Sequence, residues 1–319
     1  MKKPLIILTG PTAVGKTEIS IRLAKTVNGE IISADSMQVY KYMDVGTAKI
    51  TPSKMDGVKH YLTDILDPRD EFNIVKFKTY AKEAMNEIYS KGKIPIIVGG
   101  TGFYIQALLY DVDFEDSKED VEYRNKLEKI AITKGNNYVH EKLKDVDPES
   151  ADAIHPNNLK KVIRALEYYK ETGEKISEHN KEQRQKDSPY NFSYLVLNDE
   201  RENLYKRINA RVDKMIDQGL IEEVKQLLDM GCTKDLVSMQ GLGYKEIISY
   251  LEGEVSLEDA IYTLKRDTRH FAKRQITWFK REKEVTWIDK NHLQYNEDLI
   301  LDKIRKELRK KNIYGQSIK

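Results

Sequence analysis

The sequence contains a single cysteine, Cys232, among its 319 residues. One cysteine excludes an internal disulfide and any zinc site built from several cysteine ligands. The six histidines are scattered, and no two of them are four residues apart, as they would be in a helical histidine metal site. We therefore expect no metal centre based on cysteine or histidine, and the lone thiol fits the reducing cytoplasm.

Long apolar segments and a strong net charge are also missing. The apolar run at residues 5–8 is too short for a secretory signal, and no stretch approaches the length of a membrane span. The 54 basic and 52 acidic residues leave a formal charge of only +2, so any attraction for nucleic acid must come from local clusters. These absences favour a globular cytoplasmic protein without a membrane segment.

Two basic clusters are present. Residues 265–283 (KRDTRHFAKRQITWFKREK) hold eight lysines and arginines against two acids, with Phe271, Trp278 and Phe279 between them. Aromatic rings beside cationic groups suit base stacking combined with phosphate contact, so this segment is a candidate RNA-binding surface. Residues 301–319 hold seven basic residues against two acids and are interpreted as a solvated helix face.

Apolar segments alternate with helical patterns at the start of the chain, which predicts a parallel sheet with its ligands at the carboxyl ends of the strands. Residues from about 113 to 188 are charged and lack a convincing strand, so they are interpreted as a helical insertion. The apolar residues 192–197 then resume the sheet. The predicted parts are a first section of the α/β core (1–112), a helical insertion domain (113–190), and the rest of the core with C-terminal helices (191–319).

Residues 10–17, GPTAVGKT, match the phosphate-binding loop pattern G-x-x-x-x-G-K-[ST] between a predicted strand and a predicted helix. Glycines let the backbone amides point at phosphate oxygens, and the following helix adds its positive end. Lys16 supplies a point charge, and the Thr17 hydroxyl is suited to ligate Mg²⁺. The loop predicts a bound diphosphate or triphosphate, ATP among them, without specifying what is attached to it.

Three classes of protein use such a loop: GTP switches, kinases or ATPases, and transferases that release diphosphate. The N-K-x-D motif that reads guanine is missing. A kinase usually has an acid at the end of a later apolar strand, whereas IIVGGTGFY offers Thr101 there. Asp199, after YLVL, could supply that acid. An ATP-dependent kinase of a small metabolite and a non-catalytic RNA-binding NTPase switch therefore remain alternatives to the transferase.

Three charged residues could act on the bound phosphates. Asp35 ends the second predicted strand, so we expect it near the phosphate loop at the end of the neighbouring strand, as a general base or a Mg²⁺ partner. An ordinary turn aspartate is the structural alternative. Arg207 and Arg211 share one face of a predicted helix and could clamp phosphates as negative charge builds on them. Two solvated arginines are the alternative for this pair.

Seven blocks between residues 8 and 279 resemble, in sequence and order, the tRNA dimethylallyltransferase (tRNA isopentenyltransferase) family. They are LTGPTAVGKT, IISADSMQVYKYMDVGTAK, GGTGFY, HPNNLKKVIRALE, RINARVDKMIDQGLIEEV, QGLGYKE and RHFAKRQITWF. The resemblance implies an α/β fold with a P-loop NTPase-like parallel sheet core, a helical insertion domain and a helical C-terminal region. Eukaryotic members often carry a C-terminal zinc finger, which Cys232 alone cannot build, so the chain resembles the bacterial form.

The resemblance implies transfer of a dimethylallyl group from dimethylallyl diphosphate to N6 of the adenosine 3′ of the anticodon in certain tRNAs, with release of diphosphate. It implies Mg²⁺ as cofactor, with Thr17 as its protein ligand. It also implies a cytoplasmic monomer that binds the tRNA anticodon stem-loop and needs no obligate protein partner.

The resemblance also assigns residues. The implied catalytic residues are Asp35, Thr101 and Arg211. The implied diphosphate-binding residues are Gly10, Pro11, Thr12, Ala13, Val14, Gly15, Lys16, Thr17, Arg207 and Arg211. The implied tRNA-binding residues are Asp35, Ser36, Met37, Gln38, Thr101, Lys160, Lys161, Arg164, Gly243, Tyr244, Lys245, Arg274, Gln275 and Trp278.

Overall fold

Six parallel strands form one sheet in the protein, whose structure is a computed structural model that describes residues 2–112 and 120–314. The strands are β1 (Lys3–Thr9), β2 (Gly29–Ala34), β3 (His60–Tyr61), β4 (Ile94–Gly99), β5 (Tyr190–Asn198) and β6 (Val285–Asp289). Their order across the sheet is β3-β2-β4-β1-β5-β6, and every pairing is parallel. The sequence analysis predicted this parallel α/β core correctly.

Helices connect the strands, as parallel pairing requires. In chain order they are α1 (Lys16–Val27), α2 (Ile74–Ser90), α3 (Gly102–Leu109), α4 (Val121–Lys134), α5 (Asn136–Val146), α6 (Pro148–Ala153), α7 (Leu159–Thr172), α8 (Ile176–Gln185), α9 (Arg201–Asp217), α10 (Leu220–Asp229), α11 (Tyr244–Leu251), α12 (Leu257–Phe279) and α13 (Glu297–Lys310). None of the helices in the described residues is long and apolar enough to span a membrane.

The sheet is the centre of the hydrophobic core. Residues 5–8 of β1 are at most 1% exposed because β1 lies between β4 and β5 and both faces of the sheet are covered. Helices α1, α9 and α13 contribute Leu23, Ile208 and Ile304 to the same cluster. A central strand buried on both faces explains why PLIIL is apolar at every position after its proline.

The carboxyl ends of five strands meet along one edge of the sheet, and each is followed by a residue that can carry chemistry. Asp35 follows β2, the Gly100–Thr101 turn follows β4, and the phosphate-binding loop follows β1. Asp199 follows β5 and Lys290 follows β6. The parallel register therefore gathers residues that are far apart in sequence, from the phosphate-binding loop at residues 10–17 to Lys290.

Two details differ from the prediction. Strand β4 lies between β2 and β1 in the sheet. Asp35 therefore follows a strand that is two positions away from β1, and not the strand next to β1. Strands β3 and β6 were missed, because β3 is only two residues long and the sequence after residues 192–197 was interpreted as mostly helical. The pairing of β6 with β5 extends the sheet edge by one more strand end.

The chain divides into two compact units, one comprising Met1–Leu109 with Pro189–Lys319 and the other Tyr110–Ser188. The second unit contains α4 to α8 around its own apolar cluster, which includes Leu127, Leu143 and Leu166. The predicted boundary between residues 112 and 113 adjoins residues 113–119, which lie outside the described residues.

Candidate active site

The phosphate-binding loop carries a lysine that is folded against its own backbone. The Lys16 ammonium donates hydrogen bonds to the carbonyls of Gly10 and Pro11, both at 2.9 Å. Burial, followed by the nearby positive charge of Arg211, lowers the pKa of Lys16 to about 7, and Asp35 opposes this shift. These pKa effects mean that Lys16 and Arg211 repel each other while Asp35 attracts Lys16, so the three charges share one neighbourhood.

The other loop residues play different parts. Val14 is fully buried and Ala13 packs against the same hydrophobic cluster, so both can offer a ligand only their backbone. The amide of Thr12 donates to Oε1 of Gln275 at 2.8 Å. Thr17 is exposed at the first turn of α1, where its hydroxyl is accessible.

A cavity of about 390 Å³ opens beside the loop. Thr12, Asp35, Thr101 and Arg211 line its polar part. Its apolar part is lined by side chains of α9, α12 and the loop before α11, namely Ile208, Val212, Met215, Val237, Leu242, Leu264 and Phe271. The cavity could therefore hold a ligand with a small apolar group beside a charged one.

Asp35 serves both the local turn and the cavity. Its Oδ1 accepts hydrogen bonds from the amides of Met37 at 2.9 Å and Gln38 at 3.4 Å, so it caps the turn. Among the described residues no hydrogen bond to Oδ2 is present, and the side chain lines the cavity beside Ser36 and Met37. Capping of the turn therefore uses one carboxylate oxygen of Asp35, and the other oxygen is available to act as a base.

Gln38 does not line this cavity. Its side-chain nitrogen, Nε2, donates to the carbonyl of Thr47 at 3.2 Å, and its Oε1 accepts from the hydroxyl of Ser33 at 3.4 Å. The side chain therefore holds together the loop that follows β2, which supports the shape of the cavity wall rather than direct contact with a ligand.

Glu223 fixes the same loop from α10 and was not singled out by the sequence analysis. Its Oε2 accepts the amides of Asp44 and Val45 at 2.8 and 2.7 Å. Its Oε1 accepts the amide of Gly46 at 3.0 Å and the hydroxyl of Tyr244 at 2.8 Å. Tyr244 is itself fully buried, which favours a scaffold role for a side chain that was predicted to bind tRNA.

The neighbours of Tyr244 differ from it. Lys245 lines the cavity with its ammonium 3.6 Å from Oε1 of Glu246. Gly243 adopts a positive φ of 99° and donates its amide to Oε2 of Glu246 at 2.8 Å, so it begins α11. Of the three predicted residues in this block, Tyr244 and Lys245 both line the cavity, and Lys245 has the exposed side chain.

The two arginines of α9 both lie near the phosphate loop. Arg211 lines the cavity, and burial holds its pKa below the ordinary value while Asp35 opposes the shift. Arg207 lies 3.6 Å from Oδ2 of Asp199 and also approaches Gly15, where an added Cβ would lie 2.9 Å from its NH2. Arg207 therefore shares its charge with a carboxylate, whereas Arg211 has no ion pair among the described residues.

The GGTG segment after β4 is glycine-rich because α12 packs against it. A Cβ on Gly100 would lie 2.1 Å from Nε2 of Gln275, and a Cβ on Gly102 would lie 2.2 Å from the Trp278 ring. Gln275 is buried and donates to the carbonyl of Gly100 at 3.0 Å while accepting from Thr12. A residue predicted to bind tRNA thus joins the phosphate loop to the end of β4.

A second cavity of about 440 Å³ lies along α12 and is basic. Lys273, Arg274, Trp278 and Arg281 are among its lining residues. Trp278 also packs edge-on against Phe103, with ring centroids 6.2 Å apart. Because Arg274 lines both this cavity and the one beside the phosphate loop, the basic cluster forms a continuous surface leading to the loop.

The predicted tRNA-binding residues of the insertion lie on α7. Lys160 and Lys161 are exposed. Arg164 donates to Oε2 of the buried Glu167 at 2.9 Å, and Arg124 pairs with the same carboxylate. The two lysines are therefore available to a ligand, while Arg164 is partly engaged in holding its own unit together.

The residues present fit a Mg²⁺ ion whose coordinating oxygens come mainly from a bound substrate and water. No group of three or more histidine, cysteine or carboxylate side chains in the described residues could hold a metal on its own. Thr17 presents an exposed hydroxyl at the loop. Mg²⁺ is commonly bound by one or two protein oxygens together with substrate phosphates and water, which this donor set allows.

Comparisons with known proteins find relatives along nearly the whole chain. A curated tRNA dimethylallyltransferase from Lachnoclostridium phytofermentans is 62% identical over 312 residues, covering 98% of this chain and 99% of that protein. A crystal structure of a tRNA isopentenylpyrophosphate transferase from Bacillus halodurans superposes with a TM-score of 0.73 at 46% identity, covering 98% of each chain. A eukaryotic dimethylallyltransferase acting on tRNA gives a TM-score of 0.78 at 33% identity, covering 90% of this chain and 74% of that one.

A sequence model of the family described as IPP transferase matches residues 38–282, which is more than half of the chain. The match includes the loop after β2 from Gln38 onward, the arginine pair of α9 and nearly all of the basic cluster at residues 265–283. This chain belongs to the IPP transferase family.

Proposed function

We propose that this protein transfers the dimethylallyl group of dimethylallyl diphosphate to N6 of the adenosine 3′ of the anticodon in tRNA and releases diphosphate. The observation that carries the proposal is one cavity with a cationic phosphate loop, an apolar wall and the free oxygen of Asp35. The names of the relatives, a tRNA dimethylallyltransferase and tRNA isopentenylpyrophosphate transferase, support it.

The phosphate loop holds the leaving group in this proposal. The loop amides and Lys16 bind the diphosphate, and Arg211 binds it from the opposite wall of the cavity. As the bond between the prenyl carbon and the diphosphate oxygen breaks, negative charge accumulates on that oxygen. Cationic groups that are already fixed in place stabilise this charge more in the transition state than in the substrate, which lowers the barrier.

The adenine nitrogen attacks the prenyl carbon from the other side. Its lone pair forms the new carbon–nitrogen bond, the bonding electrons leave with diphosphate, and Oδ2 of Asp35 accepts the N6 proton. A stacked adenine cannot reach the cavity, so the base turns out of the anticodon loop into it. Ser36, Met37 and Thr101 line the wall that would contact its edge.

In this proposal the Thr17 hydroxyl would help to hold Mg²⁺ at the diphosphate site. When bound, the ion neutralises part of the charge on the leaving group.

The basic surfaces would hold the anticodon stem-loop. The exposed cations suited to phosphate contact are Lys273 and Arg274 on α12, Arg281 just after it, and Lys160 and Lys161 on α7. Such contacts orient an RNA without reading its sequence. The enzyme is proposed to act as a cytoplasmic monomer without an obligate protein partner.

The test is to incubate the protein with Mg²⁺, unmodified tRNA and either prenyl-labelled dimethylallyl diphosphate or γ-labelled ATP. The proposal expects prenyl label on the adenosine 3′ of the anticodon, and none on a control tRNA with guanosine at that position. Phosphate transfer from ATP, independent of tRNA and without prenyl transfer, would replace the proposal with the kinase alternative.

A further inference from the structure

Lys290 is a buried lysine at the phosphate loop that has no role so far. It follows β6 and is 8% exposed. Its ammonium donates to the carbonyl of Val14 at 3.0 Å and would lie 3.0 Å from a Cβ added to Gly15. It therefore touches the backbone of the loop at Val14 and Gly15.

Lys290 has no close ion-pair partner in the part of the chain that the structure describes. Among the described residues it forms no ion pair within 4 Å, since the carboxylate at the end of β5, Asp199, lies beside Arg207 instead. Burial, and then the positive charge of Arg207, lowers the pKa of Lys290, while Asp199, Glu18 and Glu297 oppose this shift. A buried cation without a partner is unfavourable unless an anion offsets its charge.

We propose that Lys290 is a positioning residue of the diphosphate site. It holds the loop through the Val14 carbonyl, and with Arg207 it adds a second positive charge against Gly15. The inference rests on the proposed function, because it assigns a further residue to the leaving-group side of the same reaction. The anion that offsets the charge of Lys290 is the bound diphosphate.

Three substitutions separate the charge from the hydrogen bond. Lys290→Gln keeps a donor for Val14 but removes the charge, Lys290→Met removes both, and Lys290→Arg keeps both. The matched control is Lys306→Gln, the same loss of charge at an exposed position on α13. The probe is inorganic diphosphate with Mg²⁺, titrated into each full-length protein by calorimetry.

We expect Lys290→Gln and Lys290→Met to weaken diphosphate binding by about tenfold, because a nearby fixed charge in a partly buried site is only weakly screened. The KM for dimethylallyl diphosphate should rise in parallel while the KM for tRNA stays unchanged, a split that a general loss of structure would not produce. The diphosphate affinity of Lys290→Arg should stay within about threefold of the wild-type value. The affinity of Lys306→Gln should match that of the wild type.

Wild-type diphosphate affinity in Lys290→Gln would overturn the proposal, because the hydrogen bond to Val14 would then be sufficient for diphosphate binding without the charge. This conclusion would hold even if Lys290→Met bound diphosphate weakly or failed to fold. The failure of the proposed function has a different signature: the wild-type protein itself would not move prenyl label to tRNA, whatever the variants bind.

Discussion

Charged side chains differ between two parts of the site: the phosphate side, around the phosphate-binding loop, and the acceptor side, around the loop that follows β2. On the phosphate side, Lys16, Arg211 and Lys290 are cations without an ion pair among the described residues, and burial lowers the pKa of each. On the acceptor side, Glu223 is buried yet accepts four hydrogen bonds, three from backbone amides and one from Tyr244. Three cations of the phosphate side thus lack an ion pair within the described residues, whereas the carboxylate of Glu223 is held by four hydrogen bonds.

This difference separates binding groups from scaffold. A fully hydrogen-bonded buried carboxylate is stable without a ligand and fixes the loop around it. A group of buried cations without partners is costly to the fold and becomes favourable when an anion binds. Asp35 combines both behaviours, because one oxygen caps a turn and the other is available to the cavity.

The largest expected effect is at Asp35. Asp35→Asn keeps an oxygen that can cap the Met37 amide but cannot accept the adenine proton, so kcat should fall by about 10³-fold. Binding of tRNA and diphosphate should stay within about threefold, measured by fluorescence and calorimetry. Asp35→Ala should lose as much activity and, in addition, some stability. Near wild-type turnover by Asp35→Asn would show that Asp35 only caps the turn.

The next effect distinguishes the two arginines of α9. Arg211→Ala should lower kcat by about 10²-fold, as expected for a lost charge-stabilising donor. Arg207→Ala should lower it by only about tenfold, because Asp199 already shares the Arg207 charge. Single-turnover rates with labelled donor would measure both. Equal, small losses would return both arginines to a solvated, non-catalytic role.

A smaller effect is expected where charge is compensated. Glu223→Gln replaces one acceptor by an NH₂ group facing backbone donors, so the free energy of unfolding should fall by about 1–3 kcal/mol in urea titrations. The KM for tRNA should rise because the loop of residues 44–46 loosens, while diphosphate affinity is unchanged. Glu222→Gln, at the exposed neighbouring position, is the control. A loss of diphosphate affinity would contradict the separation of the two sides.

The smallest effect concerns Glu246, whose Oε1 is buried without a hydrogen-bond partner among the described residues. Burial raises its pKa above the model-peptide value of 4.5, so the folded protein binds more protons than the unfolded chain just above that pH. Stability from this group therefore falls as the pH rises through the raised pKa. Glu246→Gln should remove this slope and raise the free energy of unfolding at pH 7, because a neutral amide is less costly to bury than a carboxylate. Identical pH profiles of unfolding for both proteins would contradict it.

Local sequence was sufficient where one segment determines its own structure. The loop GPTAVGKT and the apolar runs of β1, β2, β4 and β5 predict the core and the phosphate side because each signal lies within a few adjacent residues. Strand β6 is only five residues long and mostly half-buried, so VTWID carries a weak strand pattern. Because β6 was not predicted, Lys290 was not recognised as a residue at a strand end beside the phosphate loop.

Contacts between distant segments were beyond such reasoning. Glu223 lies within a recognised block, but its partners at residues 44–46 are at least 177 positions away. Tyr244 and Gln275 were predicted to bind tRNA because their blocks resemble the family, and the structure shows that their polar groups bond to Glu223, Thr12 and Gly100. A motif thus identifies which residues matter more readily than it identifies what each one touches.

The most direct measurement follows both halves of one donor molecule. Dimethylallyl diphosphate labelled with ¹⁴C in the prenyl group and ³²P in the diphosphate would be incubated with the protein, Mg²⁺ and unmodified tRNA. If the uncompensated cations hold a leaving group, ¹⁴C appears on tRNA and ³²P appears in free diphosphate in equal amounts. Phosphorus-32 on the tRNA, or diphosphate release without prenyl transfer, would contradict the account.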